Sequence, residues 1–272
     1  MNVEVTNVLG DLRGLYAIAD RFERFDAYAA LGSGKARGEP LPIGTFSPMG
    51  ERQAAYLDQL IAVDAEGLAQ TTANAVAADF GTLPDRFRLM LVVADVPRNG
   101  WTQRQLTDAE WRFTLQNDRV PKGVTLNGFD RWVSVLLWTD TEATETYIER
   151  ETRGALYRAL HRRYSGPPSM LAEMMQQEGR VLGYAGYTPE LAADELAYSQ
   201  EVIAPHLQKS DFPVCFSALY GDEAAKAAGY KALGLNPNVG FQLALQDASG
   251  ENWTDLLLQE RQRYVTDAAH AL

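Results

Sequence analysis

The chain predicts an α/β fold: a mixed or mostly parallel sheet of about four strands wrapped by helices, with an N-terminal helical segment packed on it. Three observations predict it. Two apolar runs, 88–95 and 132–140, each stop at an aspartate, Asp95 and Asp140, and give way to residues that start helices. A weaker copy runs from Val214 to Tyr220 and is followed by Gly221, Asp222 and Glu223. The first two runs are almost continuously apolar, as strands covered on both faces must be.

In chain order, Leu12, Leu15, Tyr16, Ala19 and Phe22 recur at three and four, so residues 8–30 read as a helix with one buried face. The glycines and prolines between Gly32 and Pro48 read as a loop. From Glu51 to Phe80 the pattern is helical but long for one globular helix, and a break is expected near Gly67. Phe87 to Ala94 is the first strand. After it, Pro97 to Gly100 turn the chain, Thr102 caps a short helix to Phe113, and residues 115–129 are loop. Arg131 to Trp138 is the second strand, and Thr139, Asp140 or Thr141 caps the helix that follows. Ser169 starts a helix through Met174 and Met175, and Thr188 with Pro189 gives the clearest helix start in the chain. Phe212 to Tyr220 is ambiguous between strand and buried helix and is read here as strand. Asp222 to Leu233 reads as helix, Val239 to Leu245 as a last strand, and Trp253 to Ala271 as a terminal helix. This order suggests a helical segment over 1–84 and an α/β domain over 85–272, or one continuous domain.

Composition bounds the function. The 272 residues suffice for a sizeable core. A formal net charge of -11 argues against a protein that grips nucleic-acid phosphates. The basic stretch from Arg150 to Arg163 is interspersed with glutamates and reads as a solvated helix surface, His161 included. The start carries no basic leader, and no run approaches the roughly 18 apolar residues of a membrane span. A soluble, cytoplasmic protein with no membrane partner is therefore expected. Cys215 is the one cysteine and its neighbours are apolar, so it reads as a small buried hydrophobe.

In open sheets with crossover helices, ligands bind outside the carboxyl ends of the strands. The segment 95–104 has the residue types for a polar or anionic ligand: Asn99 and Gly100 for a sharp turn, Thr102 opening a helix, Arg98 and Arg104 as cations, and Trp101 as an apolar wall. Asp95 and Asp140 are candidate acid/base groups, and with Asp222 they form a candidate site for a divalent cation such as Mg²⁺. The plainer readings are that Asp140 and Asp222 start helices, that Trp101 plugs the sheet end, and that Arg104 pairs with Asp108. There is no dinucleotide fingerprint, phosphate loop, zinc-binding histidine pair or nucleophile elbow. Glu173, Glu178 and Glu195 are available for acid/base work in any cleft they face. Two functions remain open: a protein that holds, and with a metal acts on, a small polar ligand at the strand ends, or a non-catalytic structural or interaction protein that forms a homo-oligomer.

Overall fold

The computed structural model describes residues 1–36, 38, 40–95, 103–114 and 131–270, without the side chains of 265 and 267–270. The chain divides into two compact units, Met1–Asn99 with Gln116–Leu156, and Gly100–Leu115 with Tyr157–Leu272. The described residues are mostly helical and hold one sheet.

The first unit contains that sheet. Its strands are β1 (Asn2–Val5), β2 (Arg86–Ala94) and β3 (Arg131–Trp138), ordered β1-β2-β3 and parallel throughout. The sheet thus has three strands rather than the four expected, and β1 is one the hydrophobic pattern did not single out. Leu89 to Ala94 of β2 and Trp132 to Trp138 of β3 are buried without interruption. β1 lies at an edge, where its backbone needs partners from outside the sheet. Gln70 provides them: its Oε1 accepts from Val5 N at 2.9 Å, and its Nε2 donates to Val3 O at 3.1 Å.

The segment expected as one helix over 8–30 is broken into α1 (Leu9–Gly14), a short 3-10 turn and α2 (Arg21–Gly32). Asp20 caps α2 by accepting from the backbone N–H groups of Phe22 and Glu23. The long pattern from Glu51 becomes α3 (Glu51–Ala62) and α4 (Ala65–Asp79), broken at Asp64 in a left-handed conformation. Gly67, where the break was expected, has a related role: a Cβ there would overlap the Asp64 carboxylate.

The second unit is built of helices among its described residues: α5 (Arg104–Ala109) with a π turn to Thr114, the later part of α6 (Glu145–Ser165), α7 (Leu171–Tyr184), α8 (Ala193–Ile203), α9 (Phe212–Ala227), α10 (Val239–Asp247) and α11 (Trp253–His270). Both later runs read as strands are therefore helices. Asp211 caps α9 by accepting from Val214 N, and Cys215 to Gly221 are all buried. A helix apolar on every side belongs in a core, and such a run carries no period that separates it from a strand. α10 is the same case, with Val239, Gly240, Phe241, Leu243, Ala244 and Leu245 buried. Gly240 lets it approach α9, since a Cβ would overlap the Ala218 carbonyl.

Two helix starts also move. Thr144, rather than residues 139–141, caps α6 by accepting from Tyr147 N at 3.2 Å. α8 starts at Ala193 and not at Thr188 and Pro189, and just after them Glu190 N donates to Gln242 Oε1. Ser169 does precede α7, where its N–H and hydroxyl both donate to Glu173.

Gly221 kinks α9 with φ 81° and ψ 178°, and a Cβ there would overlap the Asn236 carbonyl. Backbone strain and overpacking therefore act together in Gly221→Ala, which should destabilise the protein by about 3 kcal/mol. Urea denaturation measures this, and an unchanged midpoint would show that the kink is dispensable.

Candidate functional site

The register of the sheet sets the geometry at its carboxyl end. Ala94 pairs with Trp138, so Asp95 and Thr139 are the next residues on adjacent parallel strands. Thr139 N donates to Ala94 O at 3.0 Å, and its hydroxyl donates to Asp95 Oδ1 at 2.6 Å. Asp140 follows and is exposed, while Asp95 is half-buried. Asp95 Oδ2 faces Gly50, where a Cβ would stand 3.5 Å away. Beside it, the Tyr16 hydroxyl donates to Gly50 O at 2.9 Å, and Arg24 lies over the Tyr16 ring at 5.1 Å. Burial pushes the Tyr16 phenol up to about 12, with Arg24 opposing and the charge of Asp95 adding to the rise. Tyr16 is therefore a neutral donor at any physiological pH.

Asp95 and Asp140 thus come to the same rim. Arg98, Asn99, Trp101 and Thr102 lie outside the described residues. Arg104, the first residue of α5, belongs to the second unit. Asp108, considered as its partner, accepts from Arg112 Nε at 2.6 Å and from the Tyr220 hydroxyl at 2.7 Å. Asp222 is also in the second unit and holds a loop: its carboxylate accepts from the N–H groups of Leu233, Gly234 and Leu235. Burial works to raise its pKa, but those N–H groups outweigh it and hold the carboxyl below the usual range. Among the described residues, no group of three or more histidine, cysteine or acidic side chains is placed to hold a metal ion.

A charge cluster that sequence reasoning undervalued lies in the second unit. Glu178 of α7 is completely buried. Arg158 reaches it with two bonds, Nε to Oε1 at 2.7 Å and Nη2 to Oε2 at 2.8 Å. Arg112 Nη1 donates to Oε2 at 2.5 Å and Gln177 Nε2 to Oε1 at 2.8 Å. Burial works to raise the Glu178 carboxyl, but the two guanidiniums and these hydrogen bonds prevail and hold it at about 2. It is a fixed anion with both oxygens occupied, suited to holding helices together rather than to proton transfer. The signal was present in the sequence: Glu178 falls on the apolar stripe of Leu171, Met174 and Met175.

Two surface assignments are corrected by the same region. Arg158 faces this cluster instead of solvent. His161 is buried, 3.9 Å from Glu260, and neither of its ring nitrogens makes a hydrogen bond. Burial pushes its pKa down, against the pull of Glu260. Cys215 is buried as expected, its thiol donating to Lys209 O, and burial raises that thiol to about 11. No helix among the described residues is long and apolar enough to cross a membrane.

Comparison of the chain with protein-family models, curated proteins and solved structures finds no match.

Removing one partner of a buried ion pair leaves an uncompensated charge, so Glu178→Gln should cost about 3 to 5 kcal/mol in urea denaturation. The pH dependence follows from the sign of the shift. The folded pKa of about 2 lies below the ordinary 4.5. The contribution of Glu178 is therefore complete above about pH 4.5 and is lost as pH falls toward 2. The gap between wild type and Glu178→Gln should narrow across that window, and a gap independent of pH would contradict the assignment.

Proposed function

We propose that the protein binds a small polar ligand at the carboxyl-terminal rim of its parallel sheet, where Asp95 and Asp140 present negative charge. One observation carries this reading: two adjacent parallel strands end in Asp95 and in Thr139 followed by Asp140, with Asp95 oriented by the Thr139 hydroxyl. Loops leaving the carboxyl ends of neighbouring parallel strands are where such folds bind ligands.

The chemistry of the rim is that of a carboxylate pair. Asp95 Oδ1 accepts from Thr139, and Asp140 is exposed to water. Mg²⁺ needs only one or two carboxylates, with water completing its octahedron, so a hydrated divalent cation that bridges to an anionic substrate suits this rim. Arg98 and Asn99 follow Asp95 closely in sequence, within the same unit, and are proposed as the ligand holders. Trp101, Thr102, Arg104 and Asp222 belong to the second unit and are not needed for this reading, and the metal is assigned to Asp95 and Asp140 alone.

Thermal unfolding with Mg²⁺ and Mn²⁺, each with and without phosphorylated metabolites, tests the proposal. A ligand at ten times its Kd adds about 1.4 kcal/mol of stability, a rise of a few degrees in a chain of this size. The rise should shrink in Asp140→Asn, whose exposed side chain makes that variant safe to fold. Unchanged melting with every cation, together with no Mn²⁺ broadening of NMR signals from residues 94–95 and 139–141, would overturn it.

A further inference from the structure

In the second unit, α11 docks on the later part of α6 and on α7. The Tyr157 hydroxyl of α6 donates to Trp253 O at 3.0 Å, and the Trp253 ring lies so close to α7 that a Cβ at Gly183 would overlap it. Further along α11, Leu257 is fully buried. Glu260 then gives both carboxylate oxygens to its neighbours. Oε1 accepts from Arg180 Nη1 of α7, and Oε2 accepts from the Ser165 hydroxyl of α6 at 2.6 Å. Glu260 is thus the polar centre of the docked helix.

His161 of α6 stands at the same junction and is 5% exposed. An imidazole has two ring nitrogens to satisfy, and here neither makes a hydrogen bond. Glu260 Oε1 is 3.9 Å from Nε2, beyond hydrogen-bond distance, and already accepts from Arg180. The charged groups that act on the ring come from the two helices packed against it. Glu260 of α11 favours a proton there, Arg180 of α7 opposes it, and Glu178 of α7 favours it. Glu251, 3.5 Å from Arg180 Nε, offsets part of that guanidinium's charge. Burial outweighs the attraction of the carboxylates and keeps the docked ring neutral. A buried polar ring without hydrogen bonds is costly, and it regains water and can take up a proton when α11 lifts.

We propose that His161 is a pH-sensitive latch, and that proton uptake by its imidazole releases α11 from α6 and α7. The sign follows from linkage. Well above pH 6.5 the ring is neutral whether α11 is docked or lifted, and docking does not depend on this group. As pH falls below 6.5, the water-exposed ring of the lifted state binds a proton that the docked state does not. The lifted population then rises by up to about tenfold per pH unit, until the docked ring titrates as well. Ordinary carboxyls titrate about two units lower, so a step in this window belongs to histidine. Release uncovers Leu257 and the surfaces of α6 and α7 around Tyr157 and Gly183. The device lies within the second unit and does not rest on the proposal made for the strand-end rim.

Hydrogen exchange of the full chain at about pH 7.5, 6.5 and 5.5, corrected for the intrinsic pH dependence of exchange, tests the latch. Opening of α11 relative to α7 should change less than about twofold over the first step and rise about three- to fivefold over the second. His161→Gln and His161→Phe, checked for folding by far-UV circular dichroism, should lack the rise, whereas a contribution from His206 or His270 would persist in them. Carbon-13 NMR of the His161 ring in the wild-type chain needs no variant, and the ring should titrate below 6.5. The proposal fails if α11 is equally or better protected at pH 5.5, as it would be if a charged His161 paired with Glu260. It fails equally if a folded variant keeps the rise, or if the His161 ring titrates at or above 6.5.

Discussion

The buried charge of Glu178 ties together segments of the second unit that are far apart in sequence. A carboxylate removed from water is tolerated only when the lost hydration is replaced in kind. Arg158 of α6, Arg112 of the π turn and Gln177 beside it replace it. Arg112 then carries the constraint outward, because its Nε is held by Asp108, and Asp108 also accepts from the buried Tyr220 of α9. Tyr220 stacks on Phe216 and meets Phe241 of α10 edge-on. A single ion thus fixes the register of helices far apart in sequence, and the aromatic core is built around the result. Apolar burial supplies much of the stability of such a core, but it is non-directional. The ion cluster adds the directional part.

The sheet unit solves a different problem. Three parallel strands need long crossovers and expose two edges. At β1, Gln70 stands in for a missing strand by offering both an acceptor and a donor at the spacing of the backbone. At the carboxyl end, β2 gives way to Asp95 and β3 to Thr139 and Asp140. Thr139 continues the ladder by one bond to Ala94 and turns its hydroxyl to Asp95. The rim is thereby polar and exposed to water at Asp140, while β2 and β3 beneath it are largely buried.

Much of the sheet unit was legible in the sequence because its signals are local. The two apolar runs ending in aspartate gave the positions of β2 and β3 to within a residue, and parallel pairing then brought Asp95 and Asp140 to one rim. β1 was not legible, since four residues with Glu4 among them carry no periodic signal and become a strand only beside β2. The runs at 212–220 and 239–245 misled for the opposite reason. Helices buried on all sides lose the amphipathic stripe, and the local marker that favours helix, Asp211 before Phe212 and Pro213, lies outside the apolar run. Glu178 was visible as a charge on an apolar stripe, but its partners sit 20 and 66 residues away, and no spacing rule connects them.

The acidic side chains of this chain divide by their burial and by the donors fixed against them. Glu178 has both oxygens matched by fixed donors, so protonating or ligating it would first require breaking the core. Asp222 is in the same class, its acceptors given to three backbone N–H groups. Asp95 is intermediate, oriented by one hydroxyl with its second oxygen facing Gly50. Asp140 and Asp247 are both exposed to water. An excess of carboxylates does not by itself indicate a site. What separates the acidic residues of this chain is the surroundings each is given: Glu178 a buried set of fixed donors, Asp222 the backbone of a loop, Asp95 and Asp140 the polar end of the sheet.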